Sequence, residues 1–552
     1  MSLPERAENC LTLRLAVAMF VAIIATATAL AAPAQPRLIV AISVDQFSAD
    51  LFAEYRPLYT AGLLRLSGGA VFPSGYQSHA ATETCPGHST ILTGAHPART
   101  GIIANEWIDQ DIERSDKQIY CAEDPHVAGS SSSHYSVSAL NLKVPTLGER
   151  LKRQDSRSQV VAVAGKDRAA VMMGGHLIDE AWFWDGHSYV TLPNLTLAVP
   201  PIIAAVNARI ASAVAHPAPA LLPAACRSRS REVTVADRSV GTLRTRTAGD
   251  FKVFRTALEF DRATTDIAID RIRTLRLGRG AATDLIAIGL SATDYVGHYF
   301  GTEGAEMCAQ IQGVDANVGR ILVALDAART PYVVVLTADH GGLDLPERNR
   351  QHGFSAAARV GEAQDADRIG RLLAHEFGLP GSALASSGSF GDIYLSRQVP
   401  ADLRQRVLER ARAEFLATAQ VAAVFTASEL RAMPSPTGPA SEWTLAERYR
   451  ASFDAARSGD LLVAPVPYLT TLPLSSGYLA HHGSPWSYDR RVPILFYWPG
   501  MSGFEAVLPV ETVDILPTLA ALINLPVPAG EIDGRCLDLD PGPMDTCGHD
   551  TH

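Results

Sequence analysis

Residues 38–45 have the sequence LIVAISVD, an unbroken apolar run that ends at Asp45. A short β-branched run of this kind is typical of a buried strand. Comparable runs follow at Val160–Ala164, Leu285–Leu290, Tyr332–Thr337 and Ile494–Tyr497. Because helix-like segments separate several of them, the sequence predicts an α/β fold, a three-layer sandwich with a mainly parallel central sheet.

Polar residues follow four of these predicted strands within a few positions, namely Asp45, Lys166, Asp294 and Asp339. Ligands in open α/β sheets bind beyond the carboxyl ends of the strands. We therefore expect these four side chains to meet at one edge of the sheet.

Histidines accompany the aspartates, at His298, at His340 and in the pair His481-His482. Asp294 and His298 are four residues apart and would share one face of a helical turn. Taken singly, such a pair is more often a surface contact, and an aspartate at a strand end is frequently a helix cap. Together, three aspartates and three histidines suit two divalent ions roughly 4 Å apart, as in phosphoryl-transfer enzymes.

Lys166 and Arg168 are two residues apart after a predicted strand, so on an extended segment they can point the same way. Side by side they would offer charge-assisted hydrogen bonds to a dianionic phosphate. A phosphate monoester carries up to about one more negative charge than a diester, so the pair favours a monoester. The alternative is two solvated cations at a strand end.

The segment TCPGHSTILTG, residues 84–94, carries the closest resemblance to a known family. With the order of the aspartates and histidines, it resembles the alkaline phosphatase superfamily, in its branch of metal-dependent phosphodiesterases and nucleotide pyrophosphatases. The branch has a Thr-x-Pro-x-His-x-Thr-x-x-Thr-Gly pattern, and the matching order covers nearly the whole chain after its first residues. The Lys-x-Arg pair resembles that of secreted bacterial alkaline phosphatases with a threonine nucleophile.

The resemblance implies a role for each residue. Thr84 would be the nucleophile and form a phosphothreonine, which water then hydrolyses. Asn105, Lys166 and Arg168 would bind the phosphoryl oxygens, where transition-state charge resides. One zinc ion would be held by Asp45, Thr84, Asp339 and His340, and a second by Asp294, His298 and His482, with His481 as the rival for the last place.

Three other functions compete with a secreted phosphate monoesterase. A phosphodiesterase or nucleotide pyrophosphatase would share the fold and the metals. A sulfatase needs Cys or Ser followed by x-Pro-x-Arg, whereas Cys85 is followed at once by Pro86. A non-catalytic metal-binding surface protein would have little reason to hold a nucleophile. Cys85 itself is a weaker nucleophile candidate than Thr84, because neighbouring side chains on an extended segment point to opposite faces.

The N-terminus predicts export. Arg14 precedes an apolar run from Leu15 to Ala32, and small residues and Pro33 follow. This is the order of a signal peptide, here residues 1–34, and it predicts a periplasmic or secreted protein. The run is also about long enough for a membrane anchor. No basic stop-transfer cluster follows it, so we expect no stable anchor.

The formal net charge is −10, and removal of residues 1–34 leaves it unchanged. An acidic protein is a poor partner for nucleic acid, so we expect no nucleic-acid substrate. With the pair Lys166 and Arg168, we expect small phosphate monoesters instead. Six cysteines follow the predicted signal peptide, an even number that allows disulfides, with Cys536 and Cys547 as the easiest local pair. Their connectivity is not specified by the sequence.

Residues 35–552 are predicted to form one catalytic domain, although the length alone would allow two or three. Irregular regions at about 170–283 and 361–473 are expected to be insertions that cap the active-site edge. Residues 511–522 predict a closing amphipathic helix. The acidic segment Asp538-Leu539-Asp540 is a candidate for an additional calcium ion. No motif specifies an oligomeric state or one particular phosphate ester.

Overall fold

The computed structural model describes residues 35–361, 365–542 and 544–548. The predicted signal peptide, residues 1–34, lies outside the described residues. The strands are β1 (Leu38–Val44), β2 (Ala70–Tyr76), β3 (Glu106–Ile108), β4 (Gln118–Tyr120), β5 (Val160–Ala164), β6 (Glu180–Trp184), β7 (Tyr189–Val190), β8 (Val233–Val235), β9 (Arg238–Val240), β10 (Asp284–Leu290), β11 (Tyr332–Thr337), β12 (Ala358–Arg359), β13 (Leu384–Ser386), β14 (Gly391–Leu395), β15 (Val421–Thr426), β16 (Leu461–Pro465), β17 (Leu469–Thr470), β18 (Arg491–Tyr497), β19 (Phe504–Glu505) and β20 (Val510–Glu511).

The α-helices span Ala49–Tyr55, Gly62–Leu66, Thr84–Ile91, Pro97–Thr100, Leu147–Gln154, Asp167–Gly174, Pro201–Ala215, Phe251–Phe254, Leu258–Thr274, Ala292–Phe300, Gly304–Ala328, Pro346–Gln351, Ala366–Phe377, Arg404–Leu416, Ala427–Ala432, Leu445–Ser452, Ser487–Arg490 and Ile515–Leu522. No helix among the residues that the structure describes has the length and apolar content needed to cross a bilayer.

Strand β1 lies near the middle of a ten-stranded sheet with the order β19-β2-β18-β11-β1-β10-β5-β6-β7, and β20 also pairs with β2. The five strands from β11 to β6 run parallel. The prediction of an α/β fold with a mainly parallel sheet is therefore confirmed. Strand β18 starts at Arg491, three residues before the predicted run, and lies antiparallel to both neighbours. Strand direction depends on the path of the chain, which residue pattern alone does not encode.

Helices cover both faces of this sheet. Leu38, Val40, Ile42 and Val44 of β1 belong to one hydrophobic core, which the helices Leu258–Thr274 and Gly304–Ala328 also line. Ile39 and Ala41 belong to a second core on the other face. The alternation follows from the two-residue period of a strand, and it produces three layers.

The two regions expected as insertions differ in kind. Within 170–283, strand β6 pairs in parallel with β5, and the helix Leu258–Thr274 lies in the core, so much of this region is integral to the sandwich. The aromatic run of β6 lacks the β-branched pattern that identified the other strands. Residues 361–473 instead contain a separate four-stranded sheet, β13-β14-β16-β15, with a core of its own. The pairing of β12 with β17 joins the two ends of that second region.

Residues 511–522 form a shorter helix than predicted. The helix spans Ile515–Leu522 and follows a 3₁₀ turn at Thr512–Asp514. The Asp514 carboxylate accepts hydrogen bonds from the backbone N–H groups of Glu511 at 2.8 Å and Arg535 at 2.9 Å. The bond to Glu511 belongs to a capping box that begins the 3₁₀ turn at Thr512–Asp514, and the α-helix starts after this turn.

Three disulfides connect the six cysteines, Cys85–Cys121, Cys226–Cys308 and Cys536–Cys547. The local pair suggested by sequence is formed. Because Cys85 is bonded to Cys121, it has no free thiol, which excludes it as a nucleophile in the oxidised protein.

Candidate active site

The predicted site residues meet at the carboxyl edge of the parallel strands. Asp45 follows β1, Lys166 follows β5, Asp294 lies on the helix after β10, and Asp339 follows β11. These four strands are neighbours in the sheet, which places the four side chains together. Each of the four residues is at most 2% exposed.

Thr84 is the first residue of the helix Thr84–Ile91 and is 1% exposed. Its hydroxyl accepts hydrogen bonds from Lys166 Nζ at 3.3 Å and Arg168 Nη2 at 3.4 Å. Gly87 in the same helix packs directly on the backbone after β11, since a Cβ atom there would lie 2.0 Å from the Asp339 carbonyl oxygen. The glycine of the 84–94 segment thus permits the approach that brings Thr84 to the aspartates.

Lys166 differs from the expectation of a cation that serves phosphate alone. Its Nζ lies 2.7 Å from Asp45 Oδ2 and 2.6 Å from Asp294 Oδ2. Burial disfavours the charged ammonium, but the two carboxylates more than offset that effect and raise the pKa of Lys166. The sequence does not encode this contact, because it depends on how close three strand ends lie. Lys166 therefore stabilises the aspartate cluster as well as the Thr84 hydroxyl.

Three histidines present Nε2 to the aspartates. His298 and His482 each lie 3.3 Å from Asp294 Oδ1, and His340 lies 3.4 Å from Asp339 Oδ2 and 3.6 Å from Asp45 Oδ1. On the other side of each ring, Nδ1 faces a backbone carbonyl, of Ala480, Thr82 and Gly341 for His298, His482 and His340 respectively. Each carbonyl accepts a hydrogen bond from Nδ1–H, so a neutral ring has its lone pair at Nε2.

Burial lowers the pKa of His298 to about 4 and that of His340 to about 3, so both rings are neutral near pH 7. The rings of His340 and His482 also stack with centroids 3.6 Å apart. The Nε2 lone pairs of His298 and His340 therefore face carboxylate oxygens at close range, whereas the contact with Asp294 raises the pKa of His482 despite its burial. A cation between them would convert this repulsion into coordination, and a backbone carbonyl on the opposite nitrogen is usual for metal-binding histidine.

The unsatisfied atoms support the same conclusion. Asp294 Oδ1, Asp339 Oδ2 and His340 Nε2 are buried and have no hydrogen-bond partner among the residues that the structure describes. Burial and the neighbouring Asp339 carboxylate raise the pKa of Asp45 well above its usual range, despite the nearby Lys166. Two groups of side chains could each hold an ion, Asp294 with His298 and His482, and Asp45 with Asp294 and His340. The donor set of carboxylate oxygen and imidazole nitrogen fits divalent metal ions.

His481, the rival of His482, has a different partner. Its Nδ1 lies 2.9 Å from the hydroxyl of Thr471, and it belongs to neither of the two groups. Nor do the groups found among the described residues include Asp538 or Asp540. Asp538 Oδ1 instead accepts a hydrogen bond from the backbone N–H of Thr546 at 3.1 Å, inside the loop closed by Cys536–Cys547.

Arg168 and Asn105 lie on the other side of Thr84. Among the described residues, no carboxylate lies within ion-pair distance of the Arg168 guanidinium, whose Nη1 donates to Tyr120 Oη at 3.3 Å. Asn105 Oδ1 accepts a hydrogen bond from the backbone N–H of Cys85 at 2.8 Å. That bond orients the carboxamide and leaves its NH₂ group as a donor. The site therefore offers, beside the Thr84 hydroxyl, a guanidinium with no carboxylate in direct contact among the described residues, while Asp167 and Glu106 act on its charge at longer range.

A cavity of about 440 Å³ opens onto these side chains, and Thr84, Asn105, Arg168, Asp294, His298 and His482 line it. Residues Ser387–Asp392 and Tyr449 from the region 361–473 form part of its wall. The second sheet thus reaches the active-site edge.

Several residues of the site have no distinct signal in the sequence. Asp167 accepts hydrogen bonds from Tyr120 Oη and Tyr135 Oη, each at 2.8 Å, and Tyr120 in turn supports Arg168. His88 Nδ1 lies 3.1 Å from Asp339 Oδ2. His88 belongs to the 84–94 pattern and Asp167 lies between Lys166 and Arg168, so their positions were the available clue. Tyr120 and Tyr135 come from a distant segment, and only the fold brings them near.

Comparisons with known proteins agree with this geometry. A family model described as type I phosphodiesterase / nucleotide pyrophosphatase matches residues 39–470. Alkaline phosphatase PhoK of Sphingomonas sp is 53% identical over 519 residues, 93% of this chain and 92% of the relative. Alkaline phosphatase PhoD of Zymomonas mobilis subsp. mobilis is 50% identical over 515 residues, 93% of this chain and 89% of the relative.

The fold also resembles a solved structure, the crystal structure of wild type alkaline phosphatase PafA. The TM-score is 0.79 at 25% sequence identity, and the match covers 92% of this chain and 99% of that chain. The extent of the family match and the two close relatives lead to one conclusion. This chain belongs to the type I phosphodiesterase / nucleotide pyrophosphatase family, within the alkaline phosphatase superfamily.

Proposed function

We propose that this protein is a zinc-dependent alkaline phosphatase that hydrolyses small phosphate monoesters, with Thr84 as its nucleophile. The observation that carries the proposal is the Arg168 guanidinium, which lies 3.4 Å from the Thr84 hydroxyl without a carboxylate partner among the described residues. A positive charge beside a nucleophile suits an anionic substrate, and it favours a dianionic monoester over a monoanionic diester. The names of the two close relatives support the same activity.

The proposed metal ligands form two sets, one that includes Thr84 and one that includes Asp294. Asp45, Asp339 and His340, with the Thr84 hydroxyl, would hold one zinc ion, and Asp294, His298 and His482 the other. Bound there, zinc would lower the pKa of a coordinated hydroxyl and neutralise charge that develops during phosphoryl transfer.

Each side chain of the site has a role in the proposed reaction. The Thr84 hydroxyl loses its proton to solvent, and its oxygen attacks phosphorus and forms a phosphothreonine. The bond to the ester oxygen breaks in line on the opposite side, and that oxygen takes up a proton from water. Arg168 and Asn105 bind non-bridging oxygens, where negative charge accumulates. Lys166 Nζ donates to Asp294 Oδ2 and to the Thr84 hydroxyl, which it holds in position, and it forms an ion pair with Asp45. Water then attacks the phosphothreonine and restores Thr84.

The domain and export assignments belong to the same proposal. Residues 1–34 would act as a cleavable signal peptide, and residues 35–552 would form the catalytic domain of a periplasmic or secreted enzyme. The wall formed by Ser387–Asp392 supports a capping role for the region 361–473.

The test compares metal content with two activities. The purified protein is analysed for metals, stripped with a chelator, and reloaded with zinc, while turnover of para-nitrophenyl phosphate and its methyl diester is measured. We expect activity to disappear and return with zinc, and the monoester to be favoured by roughly 10²-fold or more, since each charged hydrogen bond contributes about 1.5–3 kcal/mol. Full activity after complete metal removal would refute the metal assignment. Preference for the diester would identify a phosphodiesterase instead.

A further inference from the structure

A second arginine, Arg255, lines the same cavity as Thr84 and Arg168. It directly follows the short helix Phe251–Phe254 and is partly exposed. Its Nε donates to the Lys252 carbonyl at 3.1 Å, and no carboxylate among the described residues lies within ion-pair distance of it. The guanidinium therefore has donors available to a ligand in the cavity.

The Tyr295 ring holds Arg255 in place. The guanidinium carbon lies 4.1 Å from the centroid of this ring, a cation–π distance. Tyr295 is 7% exposed and is fixed on the helix Ala292–Phe300, next to Asp294. The same ring contacts Lys166, whose Nζ lies 5.0 Å from the centroid. Arg255 is thus one aromatic side chain away from the cations at Thr84 and is not free to move with solvent.

Arg255 lies in the cavity close to several tyrosines. Tyr478, which also lines the cavity, stacks on His298 with ring centroids 4.5 Å apart. Tyr295, Tyr478 and Tyr299 are the tyrosines that interact with the charge of Arg255. Arg255 therefore shares the cavity with Asp294 and His298, and through the Tyr295 ring it also lies near Lys166. Lys166 and Arg168 contact the Thr84 hydroxyl.

In an in-line displacement, the leaving group departs on the side opposite the nucleophile. Lys166 and Arg168 donate to the Thr84 hydroxyl, whereas Arg255 makes no hydrogen bond to it among the described residues, so Arg255 is left to contact the leaving group. We propose that Arg255 is a specificity-determining residue that binds a second anionic group, a carboxylate or a further phosphate, on the leaving group of the ester. The inference rests on the proposed function and adds a substrate class to it, phosphate monoesters whose leaving group carries its own negative charge.

The test uses two esters that differ only in leaving-group charge, para-carboxyphenyl phosphate and its methyl carboxylate ester. The measured quantity is the ratio of kcat/KM for the charged ester to kcat/KM for the uncharged one. Dividing the ratio of a variant by that of the wild type cancels the intrinsic reactivity of the two esters. In Arg255→Met, which keeps an unbranched chain over Tyr295, we expect this ratio to fall roughly 10-fold, the effect of one charge-assisted hydrogen bond.

Arg262→Met is the matched control, because Arg262 is an exposed arginine that does not line the catalytic cavity. Its ratio should equal that of the wild type, and Arg255→Lys should restore part of the preference. An unchanged ratio in Arg255→Met, or an equal loss on both esters, would overturn the inference. If Arg255→Met does not fold, the inference is tested by Arg255→Gln and by the salt dependence of the wild-type ratio. A wild-type ratio that salt does not change would also overturn the inference. Turnover of neither ester by the wild type would refute the proposed function, and this inference with it.

Discussion

Replacement of Arg168 by alanine is the most informative change for the choice between a monoesterase and a diesterase. Replacement of Lys166 is less specific, because its Nζ lies 2.7 Å from Asp45 and 2.6 Å from Asp294, so its loss would also disturb the proposed metal ligands. Arg168 contacts Thr84 and Tyr120 and has no carboxylate partner among the described residues. Its removal therefore changes the charge available to substrate and leaves the aspartate cluster intact.

The expected magnitude follows from the contacts. A hydrogen bond between charged groups contributes about 1.5–3 kcal/mol, so Arg168→Ala should lower kcat/KM for a monoester roughly 10- to 150-fold. A diester has less charge for the guanidinium to neutralise, and its kcat/KM should fall several-fold less.

The assay compares para-nitrophenyl phosphate with its methyl diester, so that the leaving group is the same. Zinc content is measured in parallel, and Arg262→Ala serves as a surface control. Equal losses on the two substrates would refute the idea that Arg168 recognises the additional charge of a monoester. The preference for monoesters would then rest only on the resemblance to relatives.

Two further changes test other parts of the structure. His482→Ala should remove about one zinc ion per chain and lower kcat/KM by at least about 100-fold, because loss of groups that merely support a ligand already costs about 10- to 100-fold. His481→Ala should keep both zinc ions. The opposite result would assign the ligand role to His481. His96 lies 3.0 Å from Glu511 Oε2, and this contact raises the pKa of His96 above its ordinary 6.5 despite burial, while the pKa of Glu511 is lowered from 4.5. The stabilisation by His96 is thus complete below pH 6.5 and is lost as pH rises through its raised pKa, whereas that by Glu511 is lost in acid. Urea unfolding of His96→Gln should show a deficit of about 1–3 kcal/mol near pH 5–6 that shrinks as pH rises above 6.5 and through the raised pKa, and a deficit independent of pH would contradict the ion pair.

Much of the fold was predictable because the parallel strands carry their own signal. Val160–Ala164 and Tyr332–Thr337 are continuous apolar runs that are buried on both faces, and their bounds agree with the structure. Strand β6 was not identified, because its sequence EAWFW is short and aromatic and lies beside residues with no clear period. The helix predicted for 511–522 was too long, since residues 512–514 form a 3₁₀ turn, and Asp514 is bonded to the backbone of Arg535, which lies beyond the segment.

The chemistry of the site was predictable to the extent that it lies at strand ends or within one short segment. Asp45, Asp294 and Asp339 follow strands, and the 84–94 pattern identifies Thr84. Sequence could not show that Lys166 pairs with two aspartates, because that contact requires the spacing of β1, β5 and β10. Tyr120 and Arg255 were missed for the same reason, since each lies far along the chain from the residues it contacts.

The central claim is that Thr84 is the covalent nucleophile, and the most direct measurement is detection of phosphate on that residue. The zinc-loaded enzyme is mixed with para-nitrophenyl phosphate, quenched in acid and digested, and the peptide containing Thr84 is examined by mass spectrometry. We expect a phosphorylated Thr84 in the wild type, and in Thr84→Ala we expect neither this modification nor measurable turnover while the zinc content is retained. Thr84→Ser should retain part of the activity, because the hydroxyl survives. Near-normal turnover by zinc-loaded Thr84→Ala would contradict the account.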